Sequence, residues 1–164
     1  MKPCSHIAWI GLIFVFFMTG CATVKQDRSA ALMHHLEPGK IQSIEVDAVF
    51  SMDKFEEDKN LTAHPVHSNS DREILAAQIR DREPPHLHKR HDLTVFLHEG
   101  TGVLKIEGDT LPMKEGDWVT IQRGLPHQFI NLGNSPARAV VIRTPRVEDD
   151  FIELPSLSAE TGER

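Results

Sequence analysis

Three histidines, His86, His88 and His91, fall within six residues, and Asp92 follows them directly. A further histidine, His127, stands well downstream at the start of another apolar stretch. On a β-strand alternate side chains share a face, so His86 and His88 point the same way, and Asp92 has their parity. Neutral imidazoles and a carboxylate brought together from adjacent strands form a site for one divalent transition metal: iron, manganese, nickel, copper or zinc. A His-x-His pair alone is a weak signal, and Lys89 and Arg90 beside it are surface-type residues. A one-residue slip in register would turn His91 inward and Asp92 outward, so either of them can complete the set.

The surrounding chain supplies strands to hold such a site. Residues 40–50, KIQSIEVDAVF, alternate and contain β-branched residues, which predicts a first strand. Residues 51–72 are mostly polar, and a structureless loop of that length is unusual in a compact domain; 61–67 suits an edge strand or a helical turn. From 73 onward the apolar stretches are short and turn signals recur at strand spacing. EILAAQIR (73–80), HLHKRHDLTVFLH (86–98, long enough to need a bulge), VLKIE (103–107), DWVTIQ (117–122), HQFINL (127–132) and ARAVVIRTP (137–145) each read as a strand. Gly100, Gly108, Gly116 and Gly124 punctuate them. The pattern indicates an all-β, antiparallel sandwich or barrel. By parity Thr94 and Phe96 go with Asp92, and Phe129 and Asn131 with His127; Phe96 and Phe129 suit ordinary core packing. Gln78, Arg80 and His98 suit the surface.

Two stretches resemble the two sequence motifs of the cupin superfamily. His86-x-His88-x3-Asp92 followed by Gly100 is similar to the first. Gly116-x5-Gln122-Arg123-Gly124-x2-His127-x3-Asn131 is similar to the second. The chain departs from the family pattern in Asp92 for Glu, in Gln122 for Pro, and in placing Gly100 one residue late. The resemblance covers 86–131 and extends through the strand pattern to about 73–145. It implies a double-stranded β-helix, a jelly-roll-like barrel, with a metal in its mouth held by His86, His88, His127 and either Asp92 or His91. It also implies dioxygenase or isomerase chemistry on a small polar molecule, or non-catalytic capture of a metal or small ligand, and admits a homodimer. Asn131 matches the motif asparagine, a residue suited to hydrogen bonding at a strand end.

Composition narrows the class. The net charge is −6, so no broad basic surface advertises nucleic-acid binding. The two cysteines, Cys4 and Cys21, are too few for a disulfide scaffold or a thiolate zinc site. No nucleophilic-serine motif and no phosphate-cradling glycine loop is present. At the start, Lys2 precedes the apolar run 7–18, which is shorter than a membrane-spanning helix requires. Met18-Thr19-Gly20-Cys21 then resembles the lipobox of bacterial lipoproteins. The expected organisation is a signal peptide over 1–20, a tether over 21–39, a cupin barrel over 40–147 and a polar tail over 148–164. Cys21 would carry palmitate and other lipid, and Ala22 favours the periplasmic face of the outer membrane. Mass spectrometry of the mature protein should find an N-terminus at a lipid-modified Cys21. Cys21→Ala should release the protein from the membrane fraction; unchanged fractionation would point to anchoring through 7–18.

Overall fold

The computed structural model describes residues 31–52 and 58–157. The proposed leader and Cys21 lie outside the described residues, as does the end of the tail. Leu32–Glu37 (β1) and Lys40–Glu45 (β2) pair antiparallel around Pro38-Gly39, with Gly39 at φ +77°. Pro followed by a positive-φ Gly suits a tight reversal, so part of the expected tether is a hairpin. The strand expected over 40–50 stops at Glu45, and Val46–Met52 is a helix, α1. Val46, Val49 and Phe50 recur at helical spacing and are all buried, packing with Ala76 and Val140. Tertiary packing of one helical face here overrides the β-branched alternation.

The remaining strands are β3 (Leu61–Ser68), β4 (Glu73–Ile79), β5 (His86–Leu87), β6 (Asp92–Glu99), β7 (Thr101–Ile106), β8 (Asp109–Lys114), β9 (Trp118–Ile121), β10 (His127–Asn131), β11 (Ala137–Thr144) and β12 (Ile152–Glu153). They form two five-stranded sheets with the orders β3-β4-β11-β6-β9 and β12-β5-β10-β7-β8. Every pairing is antiparallel. This is a cupin-like double-sheet arrangement, but the closed barrel is not formed. Among the described residues no ladder joins one sheet to the other, so the architecture is two open sheets face to face. The chain passes between them at bends. The sharpest consequence falls on 86–98, expected as one strand: β5 belongs to one sheet, β6 to the other, and 88–91 cross between them.

The inner faces meet in a core of Leu93, Leu97, Leu104, Met113, Ile121, Phe129 and Ala139. β4 is buried on both faces because α1 covers its outer side. Gln78, expected at the surface, therefore lies buried at 4% exposure and donates its Nε2 hydrogen to Phe50 O at 3.1 Å. The edge strand β3 carries Pro65 at a register shift, a device that discourages further strand pairing. Among the described residues no helix is long and apolar enough to cross a membrane. Leu97 is 1% exposed at the centre of the core, whereas Leu111 on β8 is 45% exposed. Leu97→Ala should cost about 3 kcal/mol in urea unfolding, against about 0.5 kcal/mol or less for Leu111→Ala.

Candidate metal centre

His86 on β5 and His127 on β10 stand directly opposite each other in an antiparallel pair. His88 follows at the end of β5, where the chain begins to cross. The ring centroids of His86 and His127 are 4.2 Å apart, those of His86 and His88 5.0 Å, and those of His88 and His127 5.6 Å. All three residues are at most 5% exposed, and one ring nitrogen from each lies within 4.8 Å of the others.

Each ring is held by its other nitrogen. Nδ1 of His86 lies 2.9 Å from Pro84 O, Nδ1 of His88 3.0 Å from Asp150 O, and Nδ1 of His127 2.9 Å from Leu125 O. A carbonyl only accepts, so these geometries assign the proton to Nδ1 and leave Nε2 as a lone pair in the neutral ring. Burial is the main reason that all three bind protons weakly. His86 falls to about 3 and His88 to about 4, each depressed further by neighbouring imidazoles. His127 is lowered by burial as well. Three fixed, neutral imidazoles form a donor set that suits zinc, copper, iron or nickel.

Asp92 does not join this cluster. Its carboxylate points outward and accepts from Arg123 at three places: the backbone N at 2.9 Å, Nε at 3.0 Å and Nη2 at 2.9 Å. These bonds hold its carboxyl down at about 2. Parity counted from His86 fails at Asp92 because the strand is broken between them. His91 is the inward residue, 1% exposed. Its Nδ1 lies 3.1 Å from Asp150 Oδ2, yet neither ring nitrogen is aligned for a hydrogen bond. His88, His91 and Asp150 make a second group of potential ligands that shares His88 with the first. Asp150 also accepts from the backbone of Lys89 and Arg90 at 3.2 and 2.8 Å, so it clamps the crossing segment.

The three imidazoles open on a cavity of about 90 Å³ between the sheets. Its walls are mostly aliphatic, with Glu83, Arg143 and Phe151 at the polar end. Phe151 stacks on His86 at 4.1 Å and 18°. Glu83 is partly exposed as a residue, but its carboxyl is withdrawn from water, and that desolvation raises it to about 7. One carboxyl oxygen, Oε2, accepts from Phe129 N at 3.1 Å. Phe96, expected in the core, instead packs against Trp118 on the outer side, ring centroids 4.7 Å apart, whereas Phe129 packs in the core and also lines the cavity. Asn131 ties a strand end: its Nδ2 donates to Arg80 O and Ser135 O, and its Oδ1 accepts from Gly133 N. His98 sits on the outer side beside Asp47 at 2.9 Å.

Sequence reasoning missed Glu83, Arg143, Asp150 and Phe151. Arg143 was findable, since it has the parity of Ala137, Ala139 and Val141 on β11. Glu83 sits in the Pro84-Pro85 break and Asp150 in the polar tail, where alternation carries no signal.

The titration shifts have a definite sign. Unfolded, the three imidazoles titrate near an ordinary 6.5; folded, His86 and His88 titrate at about 3 and 4. The unfolded chain therefore binds more protons between those values. The stability carried by the neutral rings is complete above about pH 6.5 and is lost as pH falls through that window. Glu83 acts oppositely, losing stability as pH rises from its ordinary 4.5 to about 7. Three rings outweigh one carboxyl, so the melting temperature of the metal-free protein should climb steadily from about pH 4 to about pH 6.5. At about pH 8, Glu83→Gln should melt above wild type.

Residues 77–143 match the family model described as a cupin domain. An uncharacterized protein of Aquifex aeolicus (strain VF5) is 43% identical over 53 residues, 32% of this chain and 44% of that protein. The chain spans about half the length of the curated relatives it matches. Among solved structures, an uncharacterized conserved protein with a double-stranded beta-helix domain from Klebsiella pneumoniae superposes with a TM-score of 0.58. It is 17% identical and covers 69% of this chain and 96% of its own. KdgF from Halomonas sp. superposes with a TM-score of 0.53 at 20% identity, covering 59% of this chain and 91% of its own. With the two facing antiparallel sheets and the histidines between them, these likenesses establish that the chain has a cupin-superfamily fold.

Proposed function

We propose that this protein is a non-catalytic binding cupin that holds one divalent transition metal on His86, His88 and His127 and offers it to a small ligand in the adjoining cavity. The observation that carries this reading is the set of three Nδ1 contacts to backbone carbonyls, which leaves three convergent Nε2 lone pairs. Three protein ligands leave coordination positions open for a ligand atom. The metal would supply a Lewis-acidic centre there. The protein's part is to fix the rings, exclude water with aliphatic walls and cover His86 with Phe151.

An enzymatic reading, dioxygenase or isomerase chemistry on a small molecule, has one observation in its favour. Glu83 lines the same cavity with a carboxyl near 7, suited to taking up or releasing a proton. The apolar walls support a less polar substrate than the sequence motifs imply. Location at the bacterial envelope, with lipid on Cys21, rests on the apolar run 7–18 followed by Thr-Gly-Cys. Homodimerisation rests on the family resemblance alone.

Elemental analysis of protein purified without a histidine tag tests the main reading. One equivalent of a first-row metal is expected. Outer hydrogen-bond partners of metal ligands cost 10–100-fold in affinity when removed, so His86→Ala or His127→Ala should lose more than about 100-fold. His98→Ala and Asp92→Asn should bind metal as wild type does, because both side chains face away from the cluster. Wild-type affinity in His86→Ala and His127→Ala would overturn the assignment.

A further inference from the structure

Arg143 has no role in the metal site as described, yet it lies on the inner face of β11 and lines the same cavity. Its neighbour across the β4–β11 ladder is Glu73, and Nη1 lies 3.3 Å from Glu73 Oε2. That contact uses one end of the guanidinium. The Nε hydrogen is buried and has no hydrogen-bond partner. A buried donor left without an acceptor is costly, and an oxygen placed there would satisfy it. Arg143 lines this cavity together with His86, His88 and His127, so its charge and the proposed metal would face the same space.

The charges around the cavity point the same way. Three neutral imidazoles do nothing to offset a divalent cation. Glu73 is occupied with Arg143. Glu83, with its carboxyl near 7, carries at most part of a negative charge at neutral pH. Asp150 lies on the far side of His88 and is matched by Arg90 at 3.3 Å and by two backbone N–H groups. A metal on the three imidazoles, in a cavity that Arg143 also lines, therefore leaves the cavity positive until an anion enters. Beyond the polar end the walls are Leu61, Leu75, Val95, Val119 and Val141 with other aliphatic side chains. An apolar cavity of 150 Å³ accepts benzene. The 90 Å³ here has room for a chain of roughly four carbons.

We propose that the ligand of this cavity is a short-chain aliphatic carboxylate, its carboxylate placed between the Arg143 Nε hydrogen and the metal and its tail among the aliphatic side chains. The proposal rests on the metal-binding reading for one of the two carboxylate contacts and on Arg143 alone for the other.

Calorimetry on the full chain tests it in two stages. Zinc is titrated first, which tests the metal reading by itself. Butyrate, butyramide and acetate are then titrated into the zinc-loaded protein. Butyrate should bind at least tenfold more tightly than butyramide, which lacks the charge. It should also bind about tenfold more tightly than acetate, which lacks two methylenes for the aliphatic walls. Arg143→Met should weaken butyrate at least tenfold without weakening zinc, since it removes a positive charge that faces the same space as the cation. The paired variant Arg143→Met with Glu73→Gln removes the charge of its carboxylate partner as well, and should give the same loss if the single variant folds poorly. Equal binding of butyrate and butyramide, or no butyrate binding to protein that takes zinc, overturns the proposal. If zinc itself does not bind, the metal reading fails. Butyrate is then titrated into the metal-free protein, where binding that Arg143→Met abolishes upholds the Arg143 contact and its absence overturns it.

Discussion

A backbone that leaves a sheet inside a protein must find new partners for its N–H and C=O groups, and residues 88–91 do this next to three buried imidazoles. The partners come from segments far away in the chain. Gly124, at φ +82°, donates its N–H to His88 O at 2.6 Å. Asp150 accepts the N–H groups of Lys89 and Arg90. Asp92, at the first residue of β6, holds Arg123 from the outer side. The crossing therefore fixes the loop before β10, and with it His127, and draws the segment after β11 over the site. Phe151 and β12 follow from the same requirement, since β12 pairs with β5 directly after Asp150.

The donor set is a consequence of burial as well as of spacing. An imidazole in water near neutral pH is partly protonated, and its protonated form cannot ligate a metal. Here removal from water makes the charged form costly, and the Nδ1 bonds to carbonyls choose the tautomer. Both effects act before any metal arrives, so little reorganisation is needed on binding. The cost is that three uncharged ligands leave a cation uncompensated in a low-dielectric site, which makes the character of the remaining groups, Arg143 and Glu83 above all, decisive for what can bind there.

Much of this was legible in the sequence because it depends on local pattern. Alternation and turn residues locate β4, β6, β7, β9, β10 and β11, and of the two forms that suit 61–67, an edge strand or a helical turn, the strand β3 is the one formed. His86, His88 and His127 were readable because two sit at strand spacing and the third opens a neighbouring strand. Closure of a barrel was not readable, because it is a property of ladders between distant strands. Nor was α1, whose seven residues satisfy strand alternation almost as well as helical spacing until Ala76 and Val140 supply a surface for one face.

The choice between Asp92 and His91 shows where parity reasoning ends. Parity holds only while a segment stays in one sheet. Once the chain turns a corner, the count restarts, and inward or outward is decided by which side chain can be satisfied where. An aspartate turned inward here would have added a second carboxylate beside Asp150 and left Arg123 without its three acceptor contacts. An imidazole turned outward would have left the space beside His88 unfilled, where His91 now stacks at 4.3 Å. The arrangement that buries the less costly group and pairs the charged one at the surface is the one adopted. The same rule accounts for the acid that lines the cavity, Glu83, which desolvation pushes towards its neutral form, for the buried Asp150, which is matched by Arg90 and two backbone N–H groups, and for the fully charged Asp92, which stays outside with Arg123.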